Sequence, residues 1–169
     1  APFKVFRDDL VVNWVLPNGL PLETERNVFS RLLKNDFGAG GCHHHKWMAF
    51  YRPGYKRLTD VQLAHSLSPD GLSTSLYVGD YAREPLKRAI EALKASEERS
   101  LALLNPLLAA GWRLRIKTRT GGQAVERPLG ALPENLPQAT GIVLRRVHER
   151  ASVVASAQKT VEVALDGIT

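Results

Sequence analysis

Residues 58–95 constrain this chain more tightly than any other stretch, because they read as one strand–turn–strand–helix unit. Residues 58–67 alternate, with Val61, Leu63 and His65 on one side and Asp60, Gln62 and Ser66 on the other. That is the period of a half-buried strand. Ser68-Pro69-Asp70-Gly71 follows. Pro69 presets φ for the second position of a tight turn, and Gly71 tolerates the positive φ that such turns often need. Leu72, Thr74, Leu76 and Val78 mark the return strand, which Gly79-Asp80 ends. Leu86, Ile90 and Leu93 then recur at helical spacing among Lys87, Arg88, Glu91 and Lys94. The turn chemistry accounts for Pro69 and Asp70 without any catalytic role.

Around this unit the pattern alternates between hairpins and helices. Residues 3–6 and 10–16 are apolar-rich and read as extended, broken by Pro17-Asn18-Gly19. A helix is expected over 23–35, with Glu23 and Glu25 at the end where the helix dipole favours acids. Gly38-Ala39-Gly40-Gly41 reads as a loop, and 47–52 as a strand ended by Pro53-Gly54. Residues 97–109 form a second helical segment, which Asn105-Pro106 should kink or interrupt, with Gly111 as its C-terminal cap. Residues 112–120 read as a strand, turned by Gly121-Gly122 into a short partner over 123–126. Pro128, Pro133 and Pro137 make 127–138 irregular. Residues 142–148 are a last strand, and 152–165 fit a helix or a further strand. Short connections force antiparallel neighbours. The expected fold is therefore α+β, one mainly antiparallel sheet with helices packed on one face. A Rossmann-like fold fits poorly, because regular βαβ alternation and a Gly-x-Gly-x-x-Gly turn are both missing.

The 169 residues are most simply a single domain, 1–169, with room for a proper core. Apolar residues at 44% and charged residues at 24% suit a globular protein. A lone cysteine, Cys42, excludes an internal disulfide and suits a reducing compartment. No apolar run approaches the ~20 residues that span a bilayer, and Ala1-Pro2-Phe3-Lys4 has no signal-peptide pattern. The expectation is a cytoplasmic protein with no membrane partner.

The net charge of +6 gains meaning only where the cations cluster. As a strand, residues 112–119 project Arg113, Arg115, Lys117 and Arg119 from one face and Trp112, Leu114, Ile116 and Thr118 from the other. Such cations repel unless acids from a neighbouring strand or a bound anion face them. A second basic stretch holds His43, His44, His45, Lys46, Arg52, Lys56 and Arg57, with no acid between Asp36 and Asp60. Trp47, Phe50, Tyr51 and Tyr55 are interleaved. Cations serve phosphates and aromatic faces serve bases, although aromatics in strands are also ordinary core residues. A third cluster is Arg145, Arg146, His148 and Arg150.

Gly40-Gly41-Cys42-His43-His44-His45 suggests metal chemistry, but its spacing is wrong for a standard structural zinc site. Only His43 with His45, or Cys42 with His44, can share an ion in an extended chain, and other ligands would come from elsewhere, such as His65 or His148. No cofactor or resident metal is expected. A Gly-rich loop that offers backbone N–H groups to an anion is the better-motivated reading. Cys–His hydrolysis would need an imidazole positioned near Cys42. A Pro-Asp nuclease motif would need an Asp/Glu-x-Lys, which is missing.

Leu63-Ala64-His65-Ser66-Leu67-Ser68-Pro69-Asp70-Gly71, then Leu76-Tyr77-Val78-Gly79 and Leu86-Lys87-Arg88-Ala89-Ile90, resemble an uncharacterised bacterial family, domain-of-unknown-function family 2461. Glu126-Arg127-Pro128-Leu129 and Leu144-Arg145-Arg146 are similar to two further segments of that family. The likeness covers about half of the chain and departs at the N-terminus and at 38–45. It implies an α+β fold and no reaction. A fold-level likeness to the DNA-binding N-terminal domain of modification-dependent restriction enzymes points to DNA, with Trp47, Tyr51 or Tyr55 to stack on a flipped base.

The leading expectation is a module that binds nucleic acid or another anionic polymer. Its contacts would be Arg113, Arg115, Lys117, Arg119 and Arg145, extended by Lys46, Trp47, Arg52, Tyr55, Lys56 and Arg57. Two alternatives stand beside it. One is a metal-assisted nuclease or other hydrolase using Cys42, His43 and His45, with Asp70 or Asp80 as base. The other is a protein-interaction domain, a homodimer included.

Overall fold

The computed structural model describes residues 2–25 and 46–155. Helix α1 (Pro2–Leu10) runs into a π-helical turn (Val11–Val15), and strand β1 (Lys46–Phe50) follows the undescribed segment. Next come β2 (Gln62–Ser68), β3 (Gly71–Val78), α2 (Arg83–Ala95), α3 (Glu97–Ala109), β4 (Arg113–Thr118), β5 (Gly121–Val125), β6 (Gly141–Glu149) and α4 (Arg150–Ala155). Single 3-10 turns occupy Arg57–Thr59 and Leu136–Gln138. All six strands join one antiparallel sheet in the order β1-β2-β3-β6-β4-β5. The fold is α+β, as the sequence pattern implied.

The register explains which side chains share a face. Met48 lies opposite His65, His65 opposite Thr74, Leu63 opposite Leu76, Leu76 opposite Leu144, and Leu144 opposite Leu114. These residues define the helix side of the sheet. At one end of it, Leu10 buries against Met48, Phe50, Tyr51 and Leu63, with Phe6 and Trp14 packed alongside. At the other end, Leu86 of α2 and Leu108 of α3 close over Val78, Leu114, Ile116 and Ile142. Among the described residues, two apolar clusters thus share one sheet.

Several local readings change. The N-terminal apolar runs are not extended. Phe6, Leu10 and Trp14 recur every four residues, so a helix places all three on the sheet while a strand would scatter them. Asn18 then closes the turn, its amide donating to the Trp14 carbonyl at 2.8 Å. Strand β2 begins at Gln62 rather than residue 58, because Leu58 belongs to the 3-10 turn and is exposed. Pro106 does not interrupt α3. The turn between β4 and β5 is Arg119-Thr120, and Gly121-Gly122 open β5 instead. Residues 150–155 are helical. The expected helix over 23–35 falls almost wholly, and residues 38–45 entirely, outside the described residues, as does the end of the chain beyond 155.

The proline-rich segment has a definite task. β6 lies between β3 and β4, so the connection from β5 must cross β4 to reach its place. Asn105 of α3 holds that crossing, with its amide donating to the Leu129 carbonyl at 3.0 Å and its side-chain oxygen accepting from the Leu129 N–H at 2.7 Å. Glu97 accepts from the Leu132 N–H at 2.7 Å, and Leu136 is buried in the core. Side chains here do the pairing that a strand ladder does elsewhere.

Candidate nucleic-acid interface

Alternation along β4 turns Leu114 and Ile116 into the core and leaves Arg113 and Arg115 exposed on the opposite face, with Lys117 half-buried beside them. Arg113 lies directly opposite Arg145 of β6, and Arg115 opposite Val143. Four cations from two adjacent strands therefore share one face. Arg113 pairs with Glu126 at 3.3 Å, with side chains 61% and 57% exposed. Such an exposed pair contributes little and exchanges readily for another anion. Among the described residues, Arg115 and Arg145 have no acidic group within 4.0 Å. The expected neutralisation by acids across the sheet is thus confined to one of the four.

The floor beside these cations is made of small side chains. Ala64 of β2 lies opposite Ser75 of β3, which lies opposite Arg145. One row along, Ser66 pairs with Ser73. Two aromatic–cation pairs flank this floor. Arg57 lies 4.5 Å over the Trp47 ring at the β1 edge. The Lys117 ammonium sits 5.1 Å from the centre of the Tyr77 ring. Tyr77 lies down along β3 because Gly79 has no side chain: a Cβ there would collide with the Tyr77 hydroxyl. Burial, then Asp80 and Tyr81, raises the Tyr77 phenol above its ordinary pKa, so the ring is neutral. Gly122 similarly makes room for Arg115, whose Nε would lie 3.3 Å from a Cβ at that position.

The other predicted residues are distributed elsewhere. Arg119 lies beyond the end of β4, in a groove on the helix side with Arg83, Lys87 and Lys94. Lys46 lies opposite Leu67 in the register of the helix side. Arg146 and His148 alternate away from Arg145, opposite Thr74 and Leu72, so the third basic cluster is divided by the sheet. Tyr55 and Lys56 are exposed in the loop after β1. Cys42, His43 and His45 lie outside the described residues. Among the described residues, no group of three or more His, Cys, Asp or Glu side chains could hold a metal ion, and no helix is long and apolar enough to cross a membrane.

Arg52 is bound to Asp60. The fully buried Asp60 carboxylate accepts from the Arg52 backbone N–H at 3.0 Å, from Nε at 3.0 and 3.1 Å, and from Nη2 at 2.5 Å. Burial alone would raise the Asp60 pKa, but hydrogen bonds from the Arg52 side chain, and from the Arg52 and Val61 backbone, hold it below the usual carboxylate value. The hydrogen bond to Asp60 raises Arg52 in turn. Arg52 also lies 4.2 Å over the Tyr55 ring. This arrangement pins the loop after β1.

Sequence reasoning missed Tyr77 and Gly79 as parts of this face. The signal was present: Tyr77 shares the parity of Ser73 and Ser75, and β3 meets β6 on that side. What was lacking was the non-sequential place of β6. No protein-family model, curated protein or solved structure matches the chain.

Proposed function

We propose that the sheet face opposite α1–α3 binds nucleic acid. The observation that carries the reading is the convergence of Arg113, Arg115, Lys117 and Arg145 on one face of β4 and β6, where Arg113, Arg115 and Arg145 are exposed. The guanidinium and ammonium groups contact phosphates. Tyr77, held against Lys117, presents aromatic surface to bases. On that face, Ala64, Ser66 and Ser75 are half-buried, whereas Ser73 is buried.

Fluorescence anisotropy with labelled DNA and RNA oligonucleotides tests the reading. Four phosphate contacts imply that log affinity falls with log salt at a slope of roughly −3 to −4. The double substitution Arg113→Glu with Arg115→Glu abolishes binding. Binding that ignores both salt and these substitutions overturns the proposal. An acidic protein bound in place of nucleic acid also overturns it.

A further inference from the structure

The open face and the groove that contains Arg119 meet at one rim of the sheet. Lys117 is the last cation on the face, and its carbonyl accepts from the Thr140 N–H at 2.8 Å. Thr140 and Thr118 already line the groove. Arg119 follows two residues after Lys117, on the groove side. The groove measures about 870 Å3 and is open to solvent. Arg83, Lys87 and Lys94 of α2 face Arg119 across it, over a floor that includes Leu86 and Ile90. It also carries two acids. Glu91 is held 4.0 Å from Lys87, and Asp80 lies at the rim near Tyr77. Among the described residues, Arg83, Lys94 and Arg119 have no acid within 4.0 Å. The cations therefore run on from the face, over the rim and into the groove.

We infer that the ligand is single-stranded nucleic acid whose chain crosses the open face, turns over the rim at Lys117 and continues into the groove between Arg119 and α2. The inference rests on the proposed nucleic-acid reading of the open face. A duplex is stiff over ~150 base pairs and cannot turn from one side of a sheet to the other within one domain. A single strand can, and its unstacked bases are free to lie on Tyr77 at the approach to the rim. The distance from Arg113 to Lys117 along β4 is about 13 Å, so a short oligonucleotide fills the face and only a longer one reaches Arg119. DNA and RNA single strands share this chemistry.

The test uses the full chain with three- and fifteen-nucleotide oligodeoxyuridine and oligouridine, and a fifteen-base-pair duplex. Arg83→Glu with Arg119→Glu is expected to weaken the fifteen-nucleotide strand about tenfold and to leave the three-nucleotide strand within about twofold. Arg88→Glu with Arg99→Glu, on exposed helix positions away from the groove, makes the same change of charge and is expected to alter neither. Comparing oligodeoxyuridine with oligouridine, which differ only at the 2′ position, identifies the preferred sugar. The inference falls if the duplex binds as tightly as the long strand, or if the groove variant affects both lengths equally or neither. In those cases the open-face reading survives as long as Arg113→Glu with Arg115→Glu abolishes binding. If no oligonucleotide binds, that reading fails first.

Discussion

Asp60 and His65 bring the largest electrostatic demands into the described core, and they are met differently. Asp60 stays ionised because Arg52 and two backbone N–H groups surround it. Arg52→Ala removes the counter-charge and leaves the carboxylate buried, which lowers stability by about 3 kcal/mol, measurable by urea unfolding; a loss under ~1 kcal/mol would mark an ordinary surface pair. His65 stays neutral. Burial, then the nearby His148, lowers its pKa from 6.5 to about 4. Its Nδ1 meets the Thr74 hydroxyl at 3.1 Å while its Nε2 has no partner, and the rings of Phe6 and Phe50 pack edge-on. His148 is itself lowered by burial and by Arg146. Between pH 6.5 and about 4 the unfolded chain binds a proton at residue 65 that the folded chain excludes. Stability therefore falls as pH falls across that window, by up to ~3 kcal/mol, and this contribution levels off below it. Asp60 acts at lower pH: its stabilisation is present above the ordinary aspartate pKa of 3.8 and is lost as pH falls below it. Urea midpoints measured from pH 7 to 4 should decline in wild type and decline less steeply in His65→Gln, the remainder including His148; an unchanged slope assigns the effect to other groups. Alternation alone made His65 a half-buried strand residue. That it is sealed under α1 was not legible, because the N-terminal run had not been read as a helix.

Glycine placement separates the two ends of β3. Gly71 has φ +140°, and a Cβ there would collide with the His148 backbone carbonyl. Neither the conformation nor the neighbouring strand can yield, so Gly71→Ala should cost about 3 kcal/mol, read as a lower thermal midpoint. Gly79 has no positive φ, and the three atoms nearest to a Cβ there are the Tyr77 hydroxyl and two carbons of its ring. Gly79→Ala should therefore change stability by less than ~1 kcal/mol while displacing Tyr77 and weakening oligonucleotide binding severalfold; unchanged binding would remove Tyr77 from the interface. The hairpin and α2 were legible because period and turn residues agreed, whereas Pro106 argued against an uninterrupted α3. Gly111, with φ +86°, closes α3 as expected, its N–H donating to the Leu108 carbonyl at 3.1 Å. The first helix was misread because short apolar runs fit either period, and only the sheet beneath decides between them.

Across the whole molecule, the basic face was half legible. The β4 row followed from alternation, but Arg145 joined it only through a strand order that no local pattern encodes, and Arg119 left it because the strand ends at Thr118. That same order bears on how the chain is made. Until residues 141–149 exist, β1-β2-β3 and β4-β5 have no ladder in common, since β6 alone pairs with both groups. During synthesis, the cluster of Val78, Leu86, Leu108, Leu114 and Ile116 stays incomplete until Ile142 joins it. A chain ended at residue 140 should lack cooperative unfolding and bind a hydrophobic dye, whereas a sharp transition in that fragment would show that the hairpins fold independently. The emerging protein is thus two groups of strands with facing unpaired edges, at β3 and at β4, and its hazard of sticking to a neighbour is greatest until the last described strand fills the gap between them.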